Sequence, residues 1–204
     1  MSVMIIDYGM SNLGSIRRAL EICGANVFIS DNPKDVTKAD KLVLPGVGAF
    51  TDGMKNLIEN GWKVALHEEV VGNKIPILGI CLGMQLLAST GTEGFETEGL
   101  GLIDGKVVKF EQTEKNERIP HVGWNEIHFN QQSPLFNNIL DKTDYYFVHS
   151  YHFVPKNQGH ILATTPYCGN FVSIVGANHI FGVQFHPEKS QKPGFALLKN
   201  FLSY

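Results

Sequence analysis

The sequence predicts an α/β fold: a central mixed, largely parallel sheet with helices on both faces and antiparallel strands added in the C-terminal half. Three observations carry this. Apolar strands alternate with helical periodicity from the N-terminus to Cys81, short β-rich runs separated by turn residues fill the second half, and Cys81 itself sits where an apolar strand gives way to a helix.

Val3 to Asp7 is a short apolar strand, Leu13 to Cys23 has the spacing of an amphipathic helix, and Gly24 ends that helix before a second strand at Val27 to Ser30. Leu42 to Leu44 follows as a strand that Pro45 is expected to stop. Next come the loop Gly46-Val47-Gly48, a helical stretch from about Thr51, the strand Ile75 to Ile80, and a helix opening at Met84 to Ala88. Strands alternating with helices imply a parallel sheet covered on both sides. Beyond them, Lys106 to Phe110, Trp124 to Phe129, Tyr145 to Phe153, Ile161 to Thr165, Phe171 to Val175 and His179 to Phe185 read as strands. Gly176-Ala177-Asn178 joins the last two as a hairpin, and Gly194 to Leu202 reads as a closing helix. No repeat, low-complexity tract or linker divides the chain, so residues 1–204 are expected to form one domain.

Composition narrows the function. A chain of 204 residues, 43% hydrophobic, is long enough for a large core. No stretch has the apolar length of a membrane span, and the opening MSVMIIDYG has neither a basic n-region nor a cleavage site, so a cytoplasmic protein away from membranes is expected. A net charge of −3 without a Lys/Arg-rich stripe argues against a nucleic-acid partner. The three cysteines, Cys23, Cys81 and Cys168, are odd in number and far apart, which argues against a disulfide framework and against zinc. His149 and His152 in HSYH lie three apart, a spacing that in one strand places them on opposite faces, with no third ligand evident, so no metal is expected. The glycines of DYGMSNLG lack both the G-x-G-x-x-G pattern and a P-loop lysine, so no nucleotide cofactor is expected.

A lone cysteine after an apolar strand is commonly just a small buried hydrophobe. Here Gly79-Ile80-Cys81-Leu82-Gly83 has the form of a nucleophile elbow, with glycines two residues either side to let neighbouring backbone pass. The helix that follows turns free N–H groups toward the sulfur, which favours thiolate. An activated cysteine needs a base, and Gly182-Val183-Gln184-Phe185-His186-Pro187-Glu188 offers one at the end of the final strand. In extended chain His186 and Glu188 face the same side, so the carboxylate can fix the tautomer of the imidazole that moves the proton. Acyl chemistry also needs an oxyanion hole. One donor would be the N–H of Leu82, and the second would come from the Pro45-Gly46-Val47-Gly48 loop, through Val47 or Gly48.

GICLGMQ, PGVG and FHPE in this order resemble the class I (triad) glutamine amidotransferases, which hydrolyse glutamine to glutamate and ammonia. DYGMSNL, IPHVGWNEI, YYFVHSYHF and FHPEKS resemble, more narrowly, the glutaminase subunits of imidazole glycerol phosphate synthases. The resemblance implies Cys81 as nucleophile, His186 as base then acid, and Glu188 as its orienting partner. It also implies that Gln85, Glu93 and the Gly48 backbone hold the glutamine, with the backbone at Ser150 and Tyr151 against its carboxylate end; Glu96 and Glu98 compete with Glu93. It implies that the Gly46 to Gly48 strand rearranges to complete the oxyanion hole. Because the chain contains no second domain that could consume ammonia, a partner in trans is implied, by resemblance a (β/α)8-barrel cyclase making imidazole glycerol phosphate and an aminoimidazole carboxamide nucleotide in histidine biosynthesis. Asn12, Pro120, His121, Trp124, Asn125 and Lys189 are the positions expected at that heterodimer interface. The competing readings are a paralogous glutaminase for amidating nucleotide-activated sugars in surface polysaccharide synthesis, a cysteine peptidase or γ-glutamyl hydrolase with the same triad, and a binding module with a degenerate site.

Overall fold

The computed structural model describes residues 1–114 and 117–204. Strand β1 (Ser2–Ile6), helix α1 (Leu13–Ile22) and strand β2 (Asn26–Ser30) form the opening β-α-β unit, followed by β3 (Lys41–Gly46), α2 (Phe50–Glu59), α3 (Trp62–Leu66), β4 (Ile77–Cys81) and the short α4 (Leu82–Leu86). After them come β5 (Thr90–Gly91), β6 (Thr97–Glu98), β7 (Gly105–Lys109), β8 (His121–Phe129), β9 (Thr143–His149), β10 (Tyr151–Pro155), β11 (Ile161–Thr165), β12 (Phe171–Ala177), β13 (Ile180–Val183) and α5 (Gln191–Ser203). The main path of the sheet runs β2-β1-β3-β4-β13-β12-β10-β7-β5-β6, while β11 branches from β12 to reach β8, which pairs with β9. From β2 to β13 every pairing is parallel. From β13 to β12, β10 and β7 the neighbours are antiparallel.

The period of two along β1 assigns residues to the two sides. Val3 and Ile5 join one apolar cluster with Ile16, Leu20, Leu197 and Phe201 of α1 and α5, whereas Met4 and Ile6 join a second with Phe50, Met54, Trp62 and Met84 of α2, α3 and α4. Both faces are therefore covered, which is why the central strands read as unbroken apolar runs. Each fully buried Leu, Ile or Phe in these clusters contributes on the order of 2 kcal/mol of apolar transfer free energy. Among the described residues no helix is long and apolar enough to cross a membrane.

Two boundaries differ from expectation. Pro45 does not stop β3 but lies within it, opposite Ile80. The Leu42 N–H bonds the Pro76 carbonyl, so the N–H groups of Leu42, Leu44 and Gly46 face β4 while positions 43 and 45 face β1. Pairing with β1 ends at Val43, so the N–H that proline lacks has no strand to meet. The run Tyr145 to Phe153 is two strands rather than one, broken at Ser150. β9 runs with β8 and β10 with β7, and the bend at Ser150 is where the chain changes partner.

Candidate active site

Cys81 ends β4 and α4 begins at the next residue, with Cys81 at φ 54°, ψ −112°. A non-glycine residue there stores on the order of 1–3 kcal/mol of strain. The two flanking glycines make the corner possible: a Cβ on Gly83 would run into the Leu44 carbonyl, and one on Gly79 would meet the backbone of Gly83 and Met84. α4 ends at Leu86, earlier than the apolar pattern suggests, because the N–H groups of Leu87 and Ala88 tighten onto the Met84 and Gln85 carbonyls.

β13 lies parallel to β4 with Val183 opposite Ile80, so the chain leaving β13 emerges beside the elbow. His186 Nδ1 is 2.8 Å from Glu188 Oε1. Their meeting does not come from an extended chain: Pro187–Lys189 forms a 3-10 turn, and the turn rather than strand alternation brings the carboxylate back to the ring. The His186 backbone is held at both ends, its N–H donating to the Tyr146 carbonyl and its carbonyl accepting from Ser190 Oγ. His186 Nε2 is buried without a well-aligned hydrogen bond, in the cavity that Cys81 also lines. Burial pulls the imidazole pKa down, but Cys81 and Glu188 outweigh it and raise the pKa to about 9.

That cavity, about 310 Å³, is lined by Val47, Gly48, Cys81, Leu82, Gln85, Glu93, Ser150, Tyr151 and His186, together with Val148 and His149. The fold thus gathers every expected substrate position around the elbow, while Glu188 stands behind His186. Gln85 Nε2 donates to the Tyr151 carbonyl and to Gln184 Oε1, each at 3.0 Å, and Gln184 Nε2 lies 3.8 Å from Cys81 Sγ. Gln184 was not among the expected site residues, although a fully buried glutamine inside the apolar run Val183-Gln184-Phe185 is the signal that could have identified it. Of the three loop glutamates, Glu93 faces the cavity and accepts from the Phe50 N–H at the start of α2 at 2.8 Å, whereas Glu98 is exposed and pairs with Lys63.

Two of the three expected oxyanion donors, Val47 and Leu82, are occupied by backbone. Val47 N–H donates to the Met10 carbonyl at 2.8 Å. By the alternation of the β3–β4 ladder, with Gly46 opposite Cys81, the Gly46 carbonyl faces the Leu82 N–H. Gly48, at φ 108°, holds a conformation that side chains disfavour.

His149 and His152 do not lie on opposite faces. The break at Ser150 turns both rings onto Phe110, at centroid distances of 5.0 and 4.9 Å. His149 Nδ1 meets the Tyr151 carbonyl at 2.8 Å and must carry the proton, so its Nε2 accepts from His121 Nδ1 at 3.1 Å and His121 Nε2 accepts from Asn125. Burial lowers the pKa of His149 to about 3 and those of His121 and His152 to about 4, leaving all three neutral near pH 7. No trio of metal-ligating side chains occurs among the described residues.

The positions expected at an interface divide by strand alternation on β8. Val122 and Trp124 face outward, and opposite them on β9 are Val148 and Tyr146, with Lys189 Nζ 6.0 Å from the Tyr146 ring. Asn12 and Pro120 are also exposed. His121 is a correction: it is 3% exposed and stacks on Tyr167 at 4.0 Å, because odd-numbered residues of β8 point inward. Asn125 is on that same inner row. Asn12 and Lys189 line a narrow cleft with Gly46, Val47 and Glu188, next to the main cavity.

Comparison with known proteins gives the family. The family model for glutamine amidotransferase class-I matches residues 4–203. The chain is 52% identical over 200 residues to imidazole glycerol phosphate synthase subunit HisH 1 of Campylobacter jejuni (strain RM1221), covering 98% of each chain. It is 46% identical over 200 residues to subunit HisH 2 of Methanococcus maripaludis, again covering 98% of each. Among solved structures, a glutamine amidotransferase from Thermotoga maritima superposes with a TM-score of 0.69 at 19% identity, over 100% of this chain and 83% of that one. From elbow, cavity and similarity along nearly the whole sequence together, the chain belongs to the class I glutamine amidotransferases and, within them, to the glutaminase subunits of imidazole glycerol phosphate synthase.

Proposed function

We propose that residues 1–204 act as one glutaminase domain in which Cys81, His186 and Glu188 form the catalytic triad. The observation that carries this is the meeting, in one cavity, of a strained elbow cysteine and a carboxylate-held histidine from the neighbouring parallel strand. Cys81 Sγ attacks the amide carbon of glutamine, His186 Nε2 gives its proton to the leaving nitrogen, and ammonia departs from a glutamyl thioester. Water, deprotonated by His186, then attacks the thioester and releases glutamate with regeneration of the thiol. Glu188 keeps Nε2 aimed at the sulfur by binding Nδ1. Gln85, Glu93 and the backbone at Gly48, Ser150 and Tyr151 hold the substrate.

The names of the relatives point to histidine biosynthesis and to a synthase of more than one subunit. We assign the ammonia to a (β/α)8-barrel cyclase docked against Asn12, Pro120, Trp124 and Lys189, where Val122 and Val148 add to the exposed apolar face. The engaged Val47 and Leu82 N–H groups support a gated site: hydrolysis waits until the Gly46–Val47 peptide turns. One oxyanion donor is worth on the order of 100 to 1,000-fold in rate. Glutamate release measured from the chain alone, with its cyclase partner, and with cyclase plus the N1-phosphoribulosyl-formimino aminoimidazole carboxamide nucleotide tests the reading. A stepwise rise is expected; full activity of the chain alone would remove the gate, and activation only by a sugar-amidating partner would move the enzyme to a different pathway.

A further inference from the structure

The hydroxyl of Tyr8 is a buried polar group beside the elbow that the reaction above leaves unused. Tyr8 is 2% exposed and its oxygen meets no hydrogen-bond partner. Leaving such a hydroxyl unpaired away from water is unfavourable, and a phenylalanine would fill the same space without that penalty. Its position is specific: a Cβ placed on Gly46 would collide with the Tyr8 hydroxyl and lie 3.0 Å from Leu82 Cβ and 3.1 Å from Gly83 N. The hydroxyl therefore stands against the Gly46 backbone, at the base of the expected oxyanion hole. Asn56 Nδ2 binds the Tyr8 carbonyl at 3.0 Å and anchors the residue there. Burial and the nearby Cys81 both push the phenol pKa well above its ordinary value, so it remains a donor.

One peptide unit, Gly46 to Val47, occupies two of the three expected oxyanion donors, Val47 and Leu82: its N–H binds the Met10 carbonyl, and its carbonyl faces the Leu82 N–H. Turning that unit frees Leu82 and brings the Val47 N–H round toward the cavity. The same turn carries the Gly46 carbonyl away from Leu82 to the side of the Tyr8–Met10 segment, where the Met10 carbonyl can only repel it. We propose that the Tyr8 hydroxyl donates to the Gly46 carbonyl in the turned arrangement, making Tyr8 the positioning residue that holds the oxyanion loop in its active form. This rests on the gated glutaminase reading above. An orphaned hydroxyl in the resting chain and a satisfied one in the active chain together bias the loop toward the active form once a partner allows the turn.

The test is Tyr8→Phe in the complex with the cyclase and its nucleotide. We expect kcat for glutamate release to fall about tenfold, the value of one ordinary hydrogen bond. KM for glutamine and affinity for the cyclase should stay unchanged, and the isolated variant should unfold at the same or a higher urea concentration than wild type. A merely structural tyrosine would instead show lower stability, or a wild-type kcat, and either result overturns the proposal. Wild-type and Cys81→Ala complexes run alongside separate the two levels. If wild type is inactive or Cys81→Ala active, the glutaminase reading fails and this inference with it; if both controls behave and Tyr8→Phe matches wild type, only the inference fails.

Discussion

His186 Nδ1 and Glu188 Oε1 are 2.8 Å apart with side chains only 5% and 6% exposed, an enclosed pair held by a single 3-10 turn. Because the folded imidazole has its pKa raised to about 9 against an ordinary value of 6.5, its stabilising contribution is complete below pH 6.5 and is lost as pH rises through about 9. The urea midpoint of the chain should therefore fall across that window. In Glu188→Gln, NMR titration of the His186 ring should move to lower pH and the fall should shrink; an unmoved titration would show that Glu188 does not hold the charge.

In the proposed triad, orientation by Glu188 is expected to contribute less than proton transfer by His186. Glu188→Gln is expected to lower kcat of the activated complex by less than His186→Ala does, since the base remains but is less well aimed. Turnover measured at saturating cyclase and glutamine decides this, and equal losses would give Glu188 a role beyond orientation.

Strain at Cys81 separates chemistry from stability. Cys81→Ala should abolish glutamate release while the chain still folds and binds its partner. Cys81→Gly should abolish it too and be more stable than Cys81→Ala by about 1 kcal/mol, because glycine relieves the φ of 54°. Urea unfolding of the two variants checks this, with a less stable glycine variant as the contrary outcome.

Gly46 has no room for a side chain, since a Cβ would strike the Tyr8 hydroxyl. Gly46→Ala should therefore destabilise the chain by roughly 1–3 kcal/mol, the usual range for overpacking. Removing the obstructing oxygen with Tyr8→Phe should recover part of that loss, so a double-mutant cycle should show coupling between the two sites. Additive losses would mean that the crowding comes from Leu82 and Gly83 instead.

Trp124 is 49% exposed and packs edge-on against Tyr146 at 6.1 Å. As an anchor of the proposed interface, Trp124→Ala should weaken cyclase binding by about 30-fold, the effect of a 2 kcal/mol hot spot. Unfolding of the isolated chain should hardly change. Calorimetric titration with the cyclase measures the first, and an unaltered affinity would move the interface elsewhere.

The legible parts were those written in local periodicity. β1 and α1, the elbow glycines and the Phe185-His186-Pro187-Glu188 segment all announce themselves within a few residues, because apolar spacing and backbone conformation are local properties. Features set by neighbours were harder. Pro45 reads as a strand stop unless one knows that β1 has already ended beside it. Ser150 carries no break signal, since what bends the chain there is the change of partner from β8 to β7. The inward turn of His121 needed the register of β8, and the bond between Gln85 and Gln184 joins residues that only the sheet brings together.

β13 sits between β4 and β12 in the sheet, yet it is the last strand in the chain. Until it docks, β4 is an edge strand whose five residues are all destined for burial, with unpaired backbone along one side. A growing polypeptide that has emerged only as far as β12 therefore presents a sticky apolar margin together with a Cys81 that has neither His186 nor Glu188 beside it. Synthesis interrupted at that stage is expected to yield aggregates that chaperones and proteases clear, not a leaky hydrolase that drains glutamine.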